Sequence, residues 1–408
     1  MNPTTGIVPD LLTRLQRSGL APLVLAGRAL LPIVQGGMGI GVSAHRLAGA
    51  VAALGAVGTI SSVDLRRHHP DLMARTQGLA ARPSAFDEDT RTMIDGANRE
   101  ALRRELRAAR ELSGGHGLIA VNVMRAISDY PDYVKVSLEE GADMVVVGAG
   151  LPLDLPDLAA DHPQVLLVPI LSDARGVQLI VRKWERKKRL PDAIVIEHPR
   201  LAGGHLGAAR IADLADPRFE FAHVLPASRE FLKSAGIERE VPLIAAGGIR
   251  RCEDIAQVQS LGAAGAQLGT PFAVTTEGDA SDGFKRVLAQ ARDDEVVELT
   301  SVAGLPARAV ATPWLKAYLA VEGKLQGVAH VRKRCTKVFD CLAQCGLRDG
   351  LKDWGQFCID NQLAAALRGD LKKGLFFRGA GALPFGDQIR SVRELIERLL
   401  TPGMAVPA

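Results

Sequence analysis

The stretch Ala202-Gly203-Gly204-His205-Leu206-Gly207 places one imidazole among three glycines, directly after the apolar run Ala193 to His198. Imidazole is the side chain best suited to moving a proton near neutral pH. Glycine lets a backbone approach a flat ligand closely and take up φ > 0. A loop at the carboxyl end of a buried parallel strand is where α/β enzymes hold their reacting groups. His205 is therefore the first candidate for proton chemistry; the same residues would also suit a Gly-rich turn whose histidine caps a neighbouring helix.

Two more glycine turns have the composition of an anion cradle, Ala246-Gly247-Gly248-Ile249-Arg250 and Gln267-Leu268-Gly269-Thr270. One carries an arginine and the other a hydroxyl, which is what a phosphate bound by backbone N–H groups requires around it. A competing motif, Gly39-Ile-Gly41-Val-Ser-Ala44 with Asp64 downstream, fits a variant of the dinucleotide fingerprint and would imply a doubly wound fold. Cys335, Cys341, Cys345 and Cys358 follow a C-x5-C-x3-C-x12-C spacing, short enough to converge on an ion or an iron–sulfur cluster. Neither a C-x2-C zinc knuckle nor a ferredoxin spacing is present, and small buried thiols packing helices together are the plainer reading. Cys252 reads as a packing residue, and His68, His69 and His116 lack metal-ligand spacing.

The elements that must position these groups alternate. Eight runs, apolar on both faces, are expected as parallel strands: Pro32 to Gln35, Val57 to Ser61, Leu118 to Val123, Met144 to Val147, Val165 to Leu171, Ala193 to Glu197, Pro242 to Ala246, and Ala264 to Leu268. Helical patterns follow most of them, at His45 to Leu54, Pro131 to Gly141, Ala174 to Lys188 and Glu253 to Leu261. Eight such units closing on one another make an α/β fold of the (β/α)8 TIM-barrel type, with the active site at the carboxyl ends of the strands. Residues 64–117 form an insertion after the second strand, with one long helix over Thr90 to Leu112. Pro22 to Gly27 reads as a lid on the closed end. Beyond about Val310 the strand pattern stops, and the expected division is a barrel over residues 1–312 and a helical, Cys-containing extension over 313–408 that ends in a helix from Ile389 to Leu400.

Composition narrows the function. Hydrophobic residues make up 47% and charged residues 24% of the 408, ordinary for a soluble enzyme. A net charge of +4 and only 4% aromatics leave little for a nucleic acid to bind. The longest uncharged run near the amino terminus, Leu47 to Val63, falls short of the roughly 20 residues a membrane helix needs, so no membrane is expected as a partner. Met1 to Pro9 lacks a secretory pattern, which points to the cytoplasm and to thiols rather than disulfides. The basic run Arg182 to Arg189 reads as a solvated helix face or, alternatively, a docking site for an acidic carrier protein.

Pro32-Ile-Val-Gln35-Gly36-Gly37-Met38-Gly39, the strand end Val121-Asn122-Val123-Met124, Ala202 to Gly207, Ala246 to Ile249 and Gly269-Thr270 together resemble the nitronate monooxygenases, formerly called 2-nitropropane dioxygenases. The likeness runs from about Leu31 to Thr312; the same superfamily includes flavin-dependent enoyl-acyl-carrier-protein reductases and NADH:quinone reductases. It implies a bound FMN, with Gly37 and Met38 along the flavin ring, Asn122 hydrogen-bonded near it, and Gly203 and Gly204 passing close to it. Gly247, Gly248, Gly269 and Thr270 would hold the phosphate, and His205 would face the substrate over the ring. Two departures bear on the substrate rather than the cofactor: Gly36-Gly37 stands where many members have Ala-Pro, and the cysteine segment is absent from the best-known monooxygenases. The implied activity is oxidation of alkyl nitronates with O2 to a carbonyl compound and nitrite. The alternative is an NAD(P)H-dependent reductase of enoyl thioesters or quinones, for which an acyl carrier protein would be a partner; a non-enzymatic flavin or metal-binding role is the third reading. A homo-oligomer is compatible with any of them.

Overall fold

A computed structural model describes residues 4–76, 88–237, 241–331, 335 and 341–407. Eight parallel strands close into a barrel in sequence order: Ile33–Gln35, Val57–Ser61, Leu118–Met124, Met144–Gly148, Leu166–Leu171, Ile194–Glu197, Leu243–Ala246 and Gly265–Leu268. These are the eight apolar runs of the sequence. Their pairing is parallel throughout, for example Val57 opposite Leu118 and Ile194 opposite Leu243, and the last strand returns to the first through Ala266 and Ile33. Buried on both faces, such strands need no alternation of polar and apolar residues. Closure rules out the doubly wound sheet. The Gly39 to Ala44 peptide does precede a helix, His45–Ala52, but Asp64 is held by Arg66 at 2.8 Å and by Arg67 rather than standing free for a ribose.

Outside the barrel, helices Tyr130–Glu139, Ala174–Glu185 and Cys252–Ser260 follow the third, fifth and seventh strands. Trp184, fully buried, pins the second of these by donating its indole N–H to the Pro152 carbonyl at 3.0 Å. At the amino-terminal end, Leu23–Leu25 and Arg28–Leu30 form an antiparallel pair. Leu23, Leu25 and Leu30 pack into one cluster with Val34, Val57, Leu118 and Met144, so this segment stoppers the barrel floor as its apolar character suggested. Each such side chain, fully buried, contributes about 1.5–3 kcal/mol.

In the insertion, one helix spans Glu88–Ser113 and lies across helix His45–Ala52; residues 77–87 of the insertion lie outside the described residues. Glu105 on that long helix is buried, hydrogen-bonded to His45 Nδ1 at 2.7 Å and in ion-pair contact with His69 Nε2 at 2.9 Å. Burial pushes its carboxyl up, but the two imidazoles outweigh burial and hold it down at about 2. His69 is thus a structural partner, and His68 likewise bonds the Gly41 carbonyl at 2.8 Å.

The strands do not end with the barrel. Val296–Thr300 and Pro306–Val310 form an antiparallel hairpin whose second strand also pairs with Gly204–His205, in the register Gly204 opposite Arg308 and His205 opposite Ala307. A proline at the start and a charged residue in the middle hid the second of these strands. Arg308 is nonetheless buried, its guanidinium held by the carbonyls of Pro199 (3.0 Å) and Ala202 (2.6 Å) and by Glu298 (2.8 Å). After the hairpin come helices Pro313–Leu319, Glu322–Gly327, Gly346–Asp349, Ile359–Leu367 and Val392–Leu399. The chain between the last two is irregular, built of turns and isolated bridges rather than a helix. It returns to the barrel mouth, where Phe377 bridges to Ala309.

Candidate active site

A cavity of about 640 Å³ opens at the carboxyl ends of the barrel strands. Every residue singled out from the glycine motifs borders it: Gly37 and Met38, Asn122, Gly203, Gly204 and His205, Gly247 and Gly248, Gly269 and Thr270. They come from the ends of five of the eight strands or the loops beyond them, the usual construction of a barrel site. Gly37 lies so close to Asn122 that a Cβ there would stand 2.3 Å from the asparagine Cβ.

At one end of the cavity the backbone is shaped for an anion. Gly247 and Gly248 have φ of +109° and +74°, which L side chains rarely adopt. A Cβ on Gly248 would also stand 2.7 Å from Leu201. Arg250 borders the same end, and its Nε is buried without a hydrogen-bond partner. A buried guanidinium nitrogen left unpaired is costly, and an anion in this turn would satisfy it. Thr270 accepts the backbone N–H of Gly379 through Oγ1 at 2.9 Å, so a peptide of the carboxyl-terminal region forms part of this wall.

At the centre stands His205. Its Nε2 is 3.0 Å from Ser301 Oγ, and its ring meets Phe377 at 5.5 Å between centroids. Burial pushes its pKa down to about 4, so the imidazole is neutral at pH 7. Glu197, the last residue of the sixth strand, also borders the cavity, and burial pushes its carboxyl up to about 7 despite the N–H of Gly207. A neutral imidazole and a carboxyl able to hold a proton near neutrality thus share one cavity. Beyond them the wall is acidic. Asp64, Asp95, Asp129 and Asp360 all border it, and burial with mutual repulsion raises Asp64 and Asp95.

Glu197, Ser301 and Gly379 escaped the sequence reading, whereas Arg250 was already part of the expected anion cradle. A carboxylate ending an otherwise apolar barrel strand was a usable signal for Glu197; nothing local marks Ser301 and Gly379 as neighbours of His205 and Thr270. Of the cysteines, Cys341 borders the cavity and Cys252 is packed in the core. Cys252, Cys335, Cys341 and Cys345 are free thiols. Among the described residues no group of three or more His, Cys, Asp or Glu side chains is placed to hold a single metal ion. No described helix is long and apolar enough to cross a membrane.

Known proteins resemble the chain over most of its length. The nitronate monooxygenase family model matches residues 26–402. A Mycobacterium tuberculosis protein, (3aS,4S,5R,7aS)-5-hydroxy-7a-methyl-1-oxo-octahydro-1H-indene-4-carboxyl-CoA dehydrogenase, is 25% identical over 297 residues, covering 69% of this chain and 76% of its own. A nitronate monooxygenase of Paraburkholderia phytofirmans is 30% identical over 181 residues, 44% of this chain and 45% of that relative, so the match spans less than half of its length. Among solved structures, FabK from Thermotoga maritima superimposes with a TM-score of 0.62 at 22% identity, covering 90% of this chain and 91% of that one, which shows a shared fold. With a cavity at the mouth of a closed eight-stranded barrel and a family match across nearly the whole sequence, the chain belongs to the nitronate monooxygenase family and is a flavin-type oxidoreductase.

Proposed function

We propose that the chain binds FMN and oxidises alkyl nitronates with O2 to a carbonyl compound and nitrite. The residues bordering the cavity fit the cofactor: Gly247, Gly248, Gly269 and Thr270, with the unpaired Nε of Arg250, suit its phosphate. Gly37, Met38, Asn122, Gly203 and Gly204 suit the ring. Bound FMN supplies electron acceptance and the reaction with O2.

The feature that carries the substrate reading is the burial of His205, which disfavours its charged form. An imidazole whose conjugate acid has a pKa of about 4 is a poor base for an α-proton of a neutral nitroalkane. It can still hydrogen-bond the nitro oxygens of a substrate that arrives already deprotonated, its Nε2 oriented by Ser301. The reading therefore favours the nitronate over the nitroalkane. Oxygen consumption measured with each form, before the two interconvert, tests it: turnover with the nitronate alone is expected, and equal initial rates would overturn it.

A second reading has one observation in its favour. The mycobacterial relative, 25% identical to this chain, is named for a CoA thioester. Under that reading NAD(P)H feeds the flavin, and an enoyl thioester or a quinone is reduced. The basic run does not help a carrier protein reach the site. Arg189 bonds the carbonyl of Val165, at the start of the fifth strand, which places the run at the end of the barrel opposite the cavity. Anaerobic mixing separates the readings, since rapid flavin bleaching by NADH supports the reductase and bleaching by a nitronate alone supports the monooxygenase.

A further inference from the structure

Four of the five cysteines lie in one segment beside the cavity, and nothing in the proposed reaction uses them. Cys341 borders the cavity wall next to Leu342, Ile359 and Asp360. The sulfurs of Cys335, Cys345 and Cys358 all stand within electrostatic reach of it. Cys345 and Cys358 occupy corresponding places, each the residue immediately before a helix, Gly346–Asp349 and Ile359–Leu367. The backbone amides of Leu347 and Arg348 donate to the Cys345 sulfur. Amide-to-sulfur bonds of this kind support a sulfur that carries negative charge, as a metal-bound thiolate does.

Two geometries would gather four cysteines in this way. A single tetrahedral ion needs all sulfurs about 2.3 Å from one point, and no described group of side chains is placed for that. A cube of four irons and four sulfides takes its thiolates on separate corners, which sets them farther apart around a wider centre. Cys341 and the three thiols within electrostatic reach of it supply the one thiolate that each of the four corners takes. The spacing C-x5-C-x3-C-x12-C also lacks the C-x2-C pairs common in zinc sites.

We propose that Cys335, Cys341, Cys345 and Cys358 ligate a four-iron iron–sulfur cluster on the wall of the barrel-mouth cavity. Ligand binding by such sites is coupled to local folding, so the cluster also fastens the segment that carries Ile359–Leu367 against the insertion, where Cys341 touches Ile94. The site is independent of what the cavity oxidises or reduces.

The test uses the full chain, purified and handled without oxygen, and if needed reconstituted with ferrous iron and sulfide. Iron, acid-labile sulfide and zinc are measured together with flavin. About four irons and four sulfides per chain are expected, with a broad visible absorption that dithionite bleaches and a paramagnetic signal in the reduced protein. Cys345→Ser and Cys358→Ser should each lose most of the iron, while Cys252→Ser, in the barrel wall, keeps it. Flavin content and far-ultraviolet circular dichroism of each variant report whether it folds. Folded, flavin-containing protein with no iron after reconstitution, or with one zinc and no sulfide, would overturn the proposal and leave the flavin reading standing.

Discussion

Replacing Gly203 by Ala sets a methyl group against the backbone that closes the cavity. Its Cβ would stand 2.4 Å from the carbonyl carbon of Arg378 and 2.4 Å from the nitrogen of Gly379, both main-chain atoms with no rotamer to give way. Normal contact lies near 3.5–4.0 Å, so one of the two strands has to move by roughly 1 Å. Arg378 resists, because it is buried and its guanidinium holds the carbonyls of Leu288 (3.0 Å) and Gly379 (2.9 Å). Any shift of Gly379 also stretches its 2.9 Å bond to Thr270 Oγ1, on the wall proposed to hold the phosphate. Overpacking of this kind costs about 1–3 kcal/mol, and each 1.4 kcal/mol is tenfold in affinity. FMN should therefore bind about 5- to 150-fold more weakly to the folded variant. Fluorescence titration of flavin-free protein with FMN reads this directly. Gly323→Ala is the control, since its Cβ meets nothing within 4 Å. Unchanged FMN affinity in a folded Gly203→Ala protein would refute the claim that the carboxyl-terminal peptide helps build the cofactor site.

His205→Asn should slow nitronate turnover with flavin still bound, and an unchanged rate would remove His205 from the reaction. The same variant should change the acid response of stability: with a folded pKa of about 4 against roughly 6.5 unfolded, the unfolded chain alone takes up the proton between those values, so the parent loses stability as pH falls through that window and the variant loses less. Melting temperatures of both at pH 7 and pH 5 check it. Glu197 acts in the opposite sense. Its folded carboxyl titrates near 7 and the unfolded one near 4.3, so stability falls as pH rises between them and Glu197→Gln should gain melting temperature relative to the parent at pH 8 but not at pH 4. Asp279→Ala should cost about 1–2 kcal/mol in chemical denaturation, because Asp279 supplies the amino-terminal cap of helix His45–Ala52, accepting the N–H groups of Ala44 (2.8 Å), Arg46 (3.2 Å) and Leu47 (3.2 Å).

The barrel was legible in the sequence because strands buried on both faces must be apolar throughout, and the helices between them carry a different period. The same rule made the Val296–Val310 hairpin hard to read, since Arg308 sits mid-strand and is tolerated only through partners at Pro199, Ala202 and Glu298 that sequence order does not bring together. Glycine motifs located the cavity walls, because close backbone approach and positive φ are local requirements. Residues that tune the site were less visible. Ser301 reaches His205 from the hairpin, and Gly379 reaches Thr270 from far along the chain, contacts fixed only by tertiary folding. The cap on helix His45–Ala52 is of the same kind: Ala44 has no side-chain oxygen, and the distant Asp279 takes its place.

Identification of the chromophore in purified full-length protein tests the central claim most directly. Denaturation followed by chromatography of the released material should give FMN at about one per chain. A colourless protein that takes up no added FMN would contradict the account, and with it the roles proposed for His205 and the glycine cradle.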